Sequence, residues 1–302
     1  MSNAVSSSPG APTGFALWLA GARPKTLPAA VVPVAVGTAL ADVFGSVVWW
    51  RAALALVVSL ALQVGVNYAN DYSDGIRGTD EVRVGPLRLV GSGLVAAAKV
   101  KRAAFLAFGV AAGAGLILAS VTSLWLIGVG IAAIAAGWFY TGGSRPYGYM
   151  GLGEIFVFVF FGLVAVTGTT YVQTELFSWK SLVCAVPVGL LAVSLLVVNN
   201  LRDIPGDTAS GKVTLAVRQG DHATRIFYAF CVMGAIAMST GVALLTKRPW
   251  ALLALLAIPL ARQVLKTVFS GAKGRDLIPV LAGTGKVQMA YGLLLSFGLV
   301  LH

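Results

Sequence analysis

Two short stretches of the chain carry asparagine and aspartate at helical spacing. In "NYANDYSDG", Asn70 and Asp74 are four residues apart, and in "NNLRDIPGD", Asn199, Asp203 and Asp207 repeat that spacing. Residues four apart lie on one face of an α-helix, so each stretch predicts an amide and a carboxylate that point together. If the two helices surround one cavity, two acidic faces confront each other there.

Facing carboxylates need a cation between them. Carboxylate and amide oxygens suit Mg²⁺, which keeps several waters and shares the phosphates of a substrate. His222 and His302 have no partner at metal-ligand spacing, and Cys184 and Cys231 form no paired motif, so zinc is not indicated. The alternative is a pair of hydrogen-bond networks at helix ends, although a carboxylate at a helix C-terminus opposes the helix dipole.

Basic side chains accompany both acidic stretches and a third polar segment, "SRPYGYMGLGE". Beside bound Mg²⁺ they predict a site for a diphosphate, although some belong to the ordinary positive charge of membrane-protein loops. The candidates are Arg77, Arg83, Arg88, Arg145, Arg202 and Lys212.

Other polar residues are candidates for contact with a second, anionic substrate. Tyr140 ends an apolar run level with the two acidic motifs, where its ring or hydroxyl can face a developing cation. Tyr149 and Glu154 follow it. Arg23 and Lys25 precede the first apolar run, as interface anchors or as cationic contacts to the acceptor.

The composition indicates a membrane protein. Of 302 residues, 58% are hydrophobic and 11% charged, against about a quarter charged in soluble proteins. Apolar runs of about 20 residues predict helical spans, and they are too long for barrel strands. We therefore predict an all-α protein with nine transmembrane helices around a central cavity, which opens to the cytoplasm and laterally to lipid. The runs are approximately 26–45, 51–70, 101–120, 122–141, 151–172, 180–200, 224–245, 249–269 and 279–301.

The charges predict the orientation. Eighteen of the 22 basic residues fall in the N-terminal flank or the loops after the even-numbered runs, if the basic ends of the adjoining runs are included. This bias places the N-terminus and both acidic motifs in the cytoplasm. The net charge of +11 follows largely from this bias and does not indicate nucleic-acid binding. The segment 1–22, which begins with the polar stretch "MSNAVSSSPGAPTG", is predicted to be disordered, and 23–302 to form one transmembrane domain.

The quoted stretches, with "RPKTLPAAVVPVAVGTAL" and "RVGPLRLV", resemble the UbiA superfamily of intramembrane prenyltransferases over nearly the whole chain. The resemblance implies nine transmembrane helices and two aspartate-rich motifs on cytoplasmic loops. Asp74, Asp203 and Asp207 are then predicted to be catalytic, with Tyr140 as a further catalytic candidate that positions the acceptor ring. It also implies that Mg²⁺ and an isoprenyl diphosphate are held by Asn70, Asp71, Asp74, Asn199, Asp203 and Asp207, with Asp71 included by adjacency.

One position departs from the superfamily pattern. Many members have a third aspartate where this chain has Gly78, and Asp80 stands two residues further on. Asp80 is therefore a candidate metal ligand whose role stays open.

The sequence on either side of the acidic motifs is similar to that of the superfamily branch that acts on 1,4-dihydroxy-2-naphthoate. The resemblance implies transfer of a polyprenyl group with loss of CO₂ and diphosphate, giving demethylmenaquinone in a bacterial cell membrane. Three alternatives remain: another aromatic acceptor such as 4-hydroxybenzoate, a cation-coupled transporter, and a structural or lipid-binding membrane protein. Transporter sites lie near the bilayer midplane, whereas these acids lie at one surface.

Overall fold

The computed structural model describes residues 12–79, 85 and 87–301, and within these ranges it contains helices and loops but no strand. This confirms the predicted all-α class. The helices are α1 (Gly14–Ala22), α2 (Pro28–Val43), α3 (Trp49–Ile76), α4 (Ala97–Val121), α5 (Trp125–Phe139), α6 (Gly153–Val157), α7 (Ala165–Thr174), α8 (Trp179–Ala209), α9 (Leu215–Thr246), α10 (Ile258–Phe269) and α11 (Leu277–Val300). A π-helix, Phe158–Val164, joins α6 to α7, and a 3₁₀-helix, Pro249–Ala257, leads into α10.

Each predicted apolar run overlaps one of these helices. Within the described residues, six helices are long and apolar enough to cross a membrane, or seven if α1 and α2, which meet at a 55° bend, form one span. The protein is thus a multi-pass membrane protein by the length and composition of its helices. The count of nine spans and the directions in which the cavity opens stay predictions.

The N-terminal segment corrects one prediction. Residues 14–22, predicted to be disordered, form α1, whose sequence "GFALWLAGA" is apolar. The helix packs on α3, where the Tyr68 hydroxyl donates to the Trp18 carbonyl oxygen at 2.8 Å and the two rings meet edge to face. A run of nine residues is too short for a span, so a search for spans passes over it.

Helices α3 and α8 position the acidic motifs. They have 28 and 31 residues, or about 42 and 46 Å at 1.5 Å per residue, which exceeds the apolar core of a bilayer, about 30 Å. Both motifs lie on the last turns of these helices. The resemblance implied that they lie on loops, and the structure corrects that expectation. Helix α8 is the most buried of the long apolar helices, with 72% of its most apolar 18-residue stretch inside the protein. It therefore holds the second motif, Asn199, Asp203 and Asp207, within the bundle.

Candidate active site

A cavity of about 350 Å³ lies between α2, α3, α4, α5, α8 and the helical segment Gly153–Thr174, which comprises α6, the π-helix and α7. One end is polar and contains the C-terminal turns of α3 and α8. The rest is apolar and runs along α3 as far as Ala55, about 28 Å from Asp74 along the helix. The structure therefore places both acidic motifs at one end of a long apolar cavity.

The first motif lies on one face of α3. Asn70 accepts a hydrogen bond from the Thr141 hydroxyl at 2.8 Å. The Asp74 carboxylate is buried; Tyr149 donates to its Oδ1 at 2.7 Å, and Lys212 Nζ lies 3.3 Å from the same oxygen. Arg88 approaches Oδ2 at 3.5 Å. Two cations and one hydroxyl thus compensate the charge of Asp74.

The second motif is organised by its own arginine. Asn199, Asp203 and Asp207 all line the cavity. The buried Arg202 guanidinium grips Asp203 through Nε–Oδ1 and Nη2–Oδ2 contacts of 2.7 Å each, and its Nη2 also donates to Asn199 Oδ1 at 2.8 Å. Arg202 does not line the cavity itself, so its predicted contact with diphosphate is corrected: it orients the motif from behind.

The structure gives Asp71 a different role from the predicted one. It is fully buried, and its two oxygens accept the backbone N–H groups of Leu89 and Val90 at 2.7 and 2.9 Å. It is not among the residues that line the cavity. Successive residues of a helix point about 100° apart. Asp71 therefore points away from the cavity that Asn70 lines and toward the segment that contains Leu89 and Val90. Asp71 anchors that segment, and its predicted role as a metal ligand is not supported.

Four further candidates lie outside the cavity lining. Arg77 donates to the carbonyl oxygens of Thr141 and Gly143 and so holds the segment after α5. Arg145 and Lys25 are exposed. Glu154 is buried behind the wall, where it accepts a hydrogen bond from Asn200 Nδ2 at 3.0 Å. None of the four has its predicted contact with the cavity. Asp80 and Arg83 lie outside the described residues.

Besides the five motif residues Asn70, Asp74, Asn199, Asp203 and Asp207, five other predicted residues reach the cavity: Arg23, Arg88, Tyr140, Tyr149 and Lys212. Lys212 Nζ lies 4.7 Å from the centre of the Tyr149 ring. Burial raises the pKa of the Tyr149 phenol, and the adjacent Asp74 carboxylate raises it further. The hydroxyl therefore stays protonated and acts as a donor.

Tyr140 is fixed by glycines of the segment that follows it. Gly148 N–H donates to the Tyr140 carbonyl oxygen at 2.9 Å. A Cβ on Gly148 would lie 2.6 Å from that oxygen and 2.8 Å from the ring, and one on Gly153 would lie 3.0 Å from the ring. Glycine at these positions lets the segment close over Tyr140.

We expect Gly148→Ala to displace Tyr140 and to lower the rate of the prenyl transfer that the resemblance implies by about a hundredfold, because a displacement of about 1 Å has effects of that size. Gly113→Ala, on the exposed face of α4 with no atom within 4 Å of its Cβ position, is the matched control. The measurement is kcat in purified protein. Equal rates in the two variants would show that Tyr140 is not held this way.

Sequence reasoning missed several polar residues of the lining. Gln63 and Asn67 lie on the motif face of α3; both donate to Thr26 Oγ1, at 3.0 and 3.1 Å, and Asn67 also donates to the Ala22 carbonyl oxygen at 2.9 Å. Their spacing of 63, 67, 70 and 74 was a usable signal within an apolar run. Nothing in the local sequence marked Thr26 or Thr141.

Comparison with known proteins agrees with this geometry. A model of the UbiA prenyltransferase family matches residues 30–300. A Mycobacterium tuberculosis (strain ATCC 25618 / H37Rv) protein named 1,4-dihydroxy-2-naphthoate octaprenyltransferase is 52% identical over 279 residues, which cover 92% of this chain and 95% of that protein. An Escherichia coli (strain K12) protein of the same name is 37% identical over 300 residues, with 94% and 95% covered.

Among solved structures, a UbiA homolog from Archaeoglobus fulgidus bound to GPP and Mg²⁺ has a TM-score of 0.58 at 14% identity, covering 94% of this chain and 99% of that one. This likeness shows a shared fold. The family match spans nearly all of the helical bundle, and both acidic motifs that define the cavity fall within it. The chain therefore belongs to the UbiA prenyltransferase family, as the sequence predicted.

Proposed function

We propose that this protein transfers a polyprenyl group from an isoprenyl diphosphate to 1,4-dihydroxy-2-naphthoate, releasing diphosphate and CO₂ and giving demethylmenaquinone. The observation that carries the proposal is a single cavity that is charged at one end and apolar along the rest. Such a cavity fits a donor with an anionic head and a hydrocarbon tail. The relatives named for the naphthoate acceptor support the second substrate.

The polar end fits Mg²⁺. Asn70, Asp74, Asn199, Asp203 and Asp207 supply only oxygen ligands, and all five line the cavity. In the described part of the chain, no three acidic, histidine or cysteine side chains lie close enough to hold a metal by themselves. Mg²⁺ usually takes one or two carboxylates, several waters and substrate phosphates, so these residues would hold it together with the donor. When bound, it would stabilise negative charge on the leaving diphosphate.

Side chains of the protein supply the remaining charge. Lys212 and Arg88, which face Asp74 in this structure, are cations at the position of the diphosphate. Tyr149 adds a hydroxyl donor beside them. Fixed charges act most strongly where water is excluded, and Asp74, Arg88 and Lys212 are each less than a tenth exposed. These residues therefore favour departure of diphosphate from the allylic carbon.

Tyr140 and Arg23 are placed to handle the aromatic acceptor. Tyr140 lines the cavity next to both motifs, where its electron-rich ring can face an allylic cation and position the acceptor ring. The buried Nε of Arg23 has no hydrogen-bond partner among the described residues. This nitrogen is free to bind an anionic ligand in the cavity, and we assign the carboxylate of the acceptor to Arg23.

The chemistry is proposed to take place on the cytoplasmic side of a bacterial cell membrane. Both motifs end helices of the same direction, and the basic loops lie on that side. The tail of the donor would lie between helices in contact with lipid.

An acceptor comparison tests the function. With purified protein in lipid, Mg²⁺ and octaprenyl diphosphate, we expect 1,4-dihydroxy-2-naphthoate to react at least about a hundredfold faster than 4-hydroxybenzoate, because a pocket shaped for two rings holds one ring loosely. Mass spectrometry should find a product that has gained the prenyl group and lost CO₂.

Two results would redirect the proposal. A preference for 4-hydroxybenzoate, or a product that keeps its carboxylate, would assign the protein to a different aromatic acceptor. Failure to release diphosphate with any acceptor would favour a transporter or a lipid-binding protein instead.

A further inference from the structure

The apolar part of the cavity has a closed floor. Val34, Ala55, Leu118 and Val172 form a separate buried cluster there, each less than a tenth exposed, and all four line the cavity. Arg51 stabilises the floor by linking the helix ends around it. Its guanidinium donates to the carbonyl oxygens of Val172 and Val121 at 3.0 and 3.3 Å.

Arg51 also pairs with Glu175 at 2.8 Å. It therefore joins the N-terminal end of α3 to the C-terminal ends of α4 and α7, just beyond the floor cluster. A tail that follows α3 from Asp74 meets this floor after about 28 Å, and it has no straight path onward.

The side of the cavity is open between α5 and α7. Helix α5 packs on α3 and α4, while α7 packs on α2, α3 and α8. The two helices meet where Trp125 Nε1 of α5 donates to the Tyr171 hydroxyl of α7 at 3.3 Å, and they make few other contacts with each other. Gly130 of α5 lines the cavity and is also exposed. Gly168 of α7 lines the cavity too, and neither glycine has a heavy atom within 4 Å of its Cβ position.

We propose that Gly130 and Gly168 determine which donor lengths this enzyme accepts. The inference rests on the proposed prenyl transfer. A geranyl tail ends inside the cavity. An octaprenyl tail exceeds the distance to the floor and must leave sideways, through the gap that the two glycines keep free of side chains.

The test places a leucine side chain in the gap between α5 and α7. We expect Gly130→Leu to lower the ratio of kcat/KM for octaprenyl diphosphate to kcat/KM for geranyl diphosphate by about tenfold or more, the scale on which pocket contacts discriminate substrates. Gly168→Leu should lower the same ratio from the other side of the gap. Gly128→Leu is the matched control, because Gly128 lies on α5, is exposed, has the same free space at Cβ and does not line the cavity.

The outcomes separate the inference from the function. An unchanged ratio in an active Gly130→Leu or Gly168→Leu variant would overturn the role of the glycines, while prenyl transfer itself would stand. An equal fall of the ratio in Gly128→Leu would also overturn it, since the effect would then come from the bulk of leucine on α5. Absence of transfer from either donor in the unmodified protein would remove the proposed function, and this inference with it.

Discussion

Replacing Asp74 or Asp203 with asparagine is expected to abolish prenyl transfer, with a loss of about a thousandfold or more in kcat, while the protein stays folded in the membrane. Each residue is the central acid of its motif, and each lines the polar end of the cavity. Asparagine keeps the size of the side chain and an acceptor oxygen but removes the negative charge that binds Mg²⁺. Diphosphate release at saturating Mg²⁺ is the measurement.

Asp71→Asn is the matched control, because it makes the same chemical change three residues before Asp74 on the same helix. Its carboxylate binds the amides of Leu89 and Val90, and hydrogen bonds of this charged type contribute about 1.5–3 kcal/mol each. We expect a lower melting temperature with an unchanged Mg²⁺ concentration for half-maximal activity. Near-normal activity in Asp74→Asn or Asp203→Asn would refute the metal assignment, and a shifted Mg²⁺ requirement in Asp71→Asn would return that residue to the ligand set.

Much of the fold could be predicted because it depends on local patterns. An apolar run of about 20 residues has few options in lipid other than a helix, so each predicted run overlaps a helix. The motif residues were found in the same way, since a spacing of four sets Asn70 beside Asp74 on any helix. Helix α1 was missed because it packs against α3 and does not span, and packing of that kind leaves no periodic signal in nine residues.

The assignment of basic residues depends on tertiary structure. Arg77 and Lys212 both follow an acidic motif in the sequence, yet Arg77 turns to backbone carbonyls after α5, while Lys212 crosses from the second motif to Asp74 of the first. Long side chains choose among partners several ångströms apart, and sequence spacing does not rank those partners. Arg202 shows the opposite case: it pairs with its own neighbour, Asp203.

Lys212 is the one lysine that joins the two motifs within the described residues, through the Asp74 contact at 3.3 Å. We expect Lys212→Gln to lower kcat for prenyl transfer by about a hundredfold to a thousandfold, the range seen when a donor to developing negative charge is removed. The neutral amide keeps a polar group near Asp74 and Tyr149 but loses the charge that stabilises departing diphosphate. The effect should be greater on kcat than on KM, because negative charge at the leaving oxygen grows as the bond to the allylic carbon breaks.

Lys25→Gln and Arg145→Gln provide the comparison for this prediction. Both residues were candidates from the sequence, both are exposed, and neither lines the cavity, so we expect their kcat values to stay within about twofold of the unmodified enzyme, as is usual for surface changes remote from the chemistry. Steady-state kinetics with one donor and saturating naphthoate measures all three variants. If Arg145→Gln were as slow as Lys212→Gln, then Arg145 would have to reach the diphosphate when substrate is bound. The positive charge that stabilises the diphosphate would then come from the segment after α5 as well as from the segment after α8.

If Lys212→Gln were fully active, the pairing of Lys212 with Asp74 would serve folding alone. Arg88 would then be the principal cation for the diphosphate.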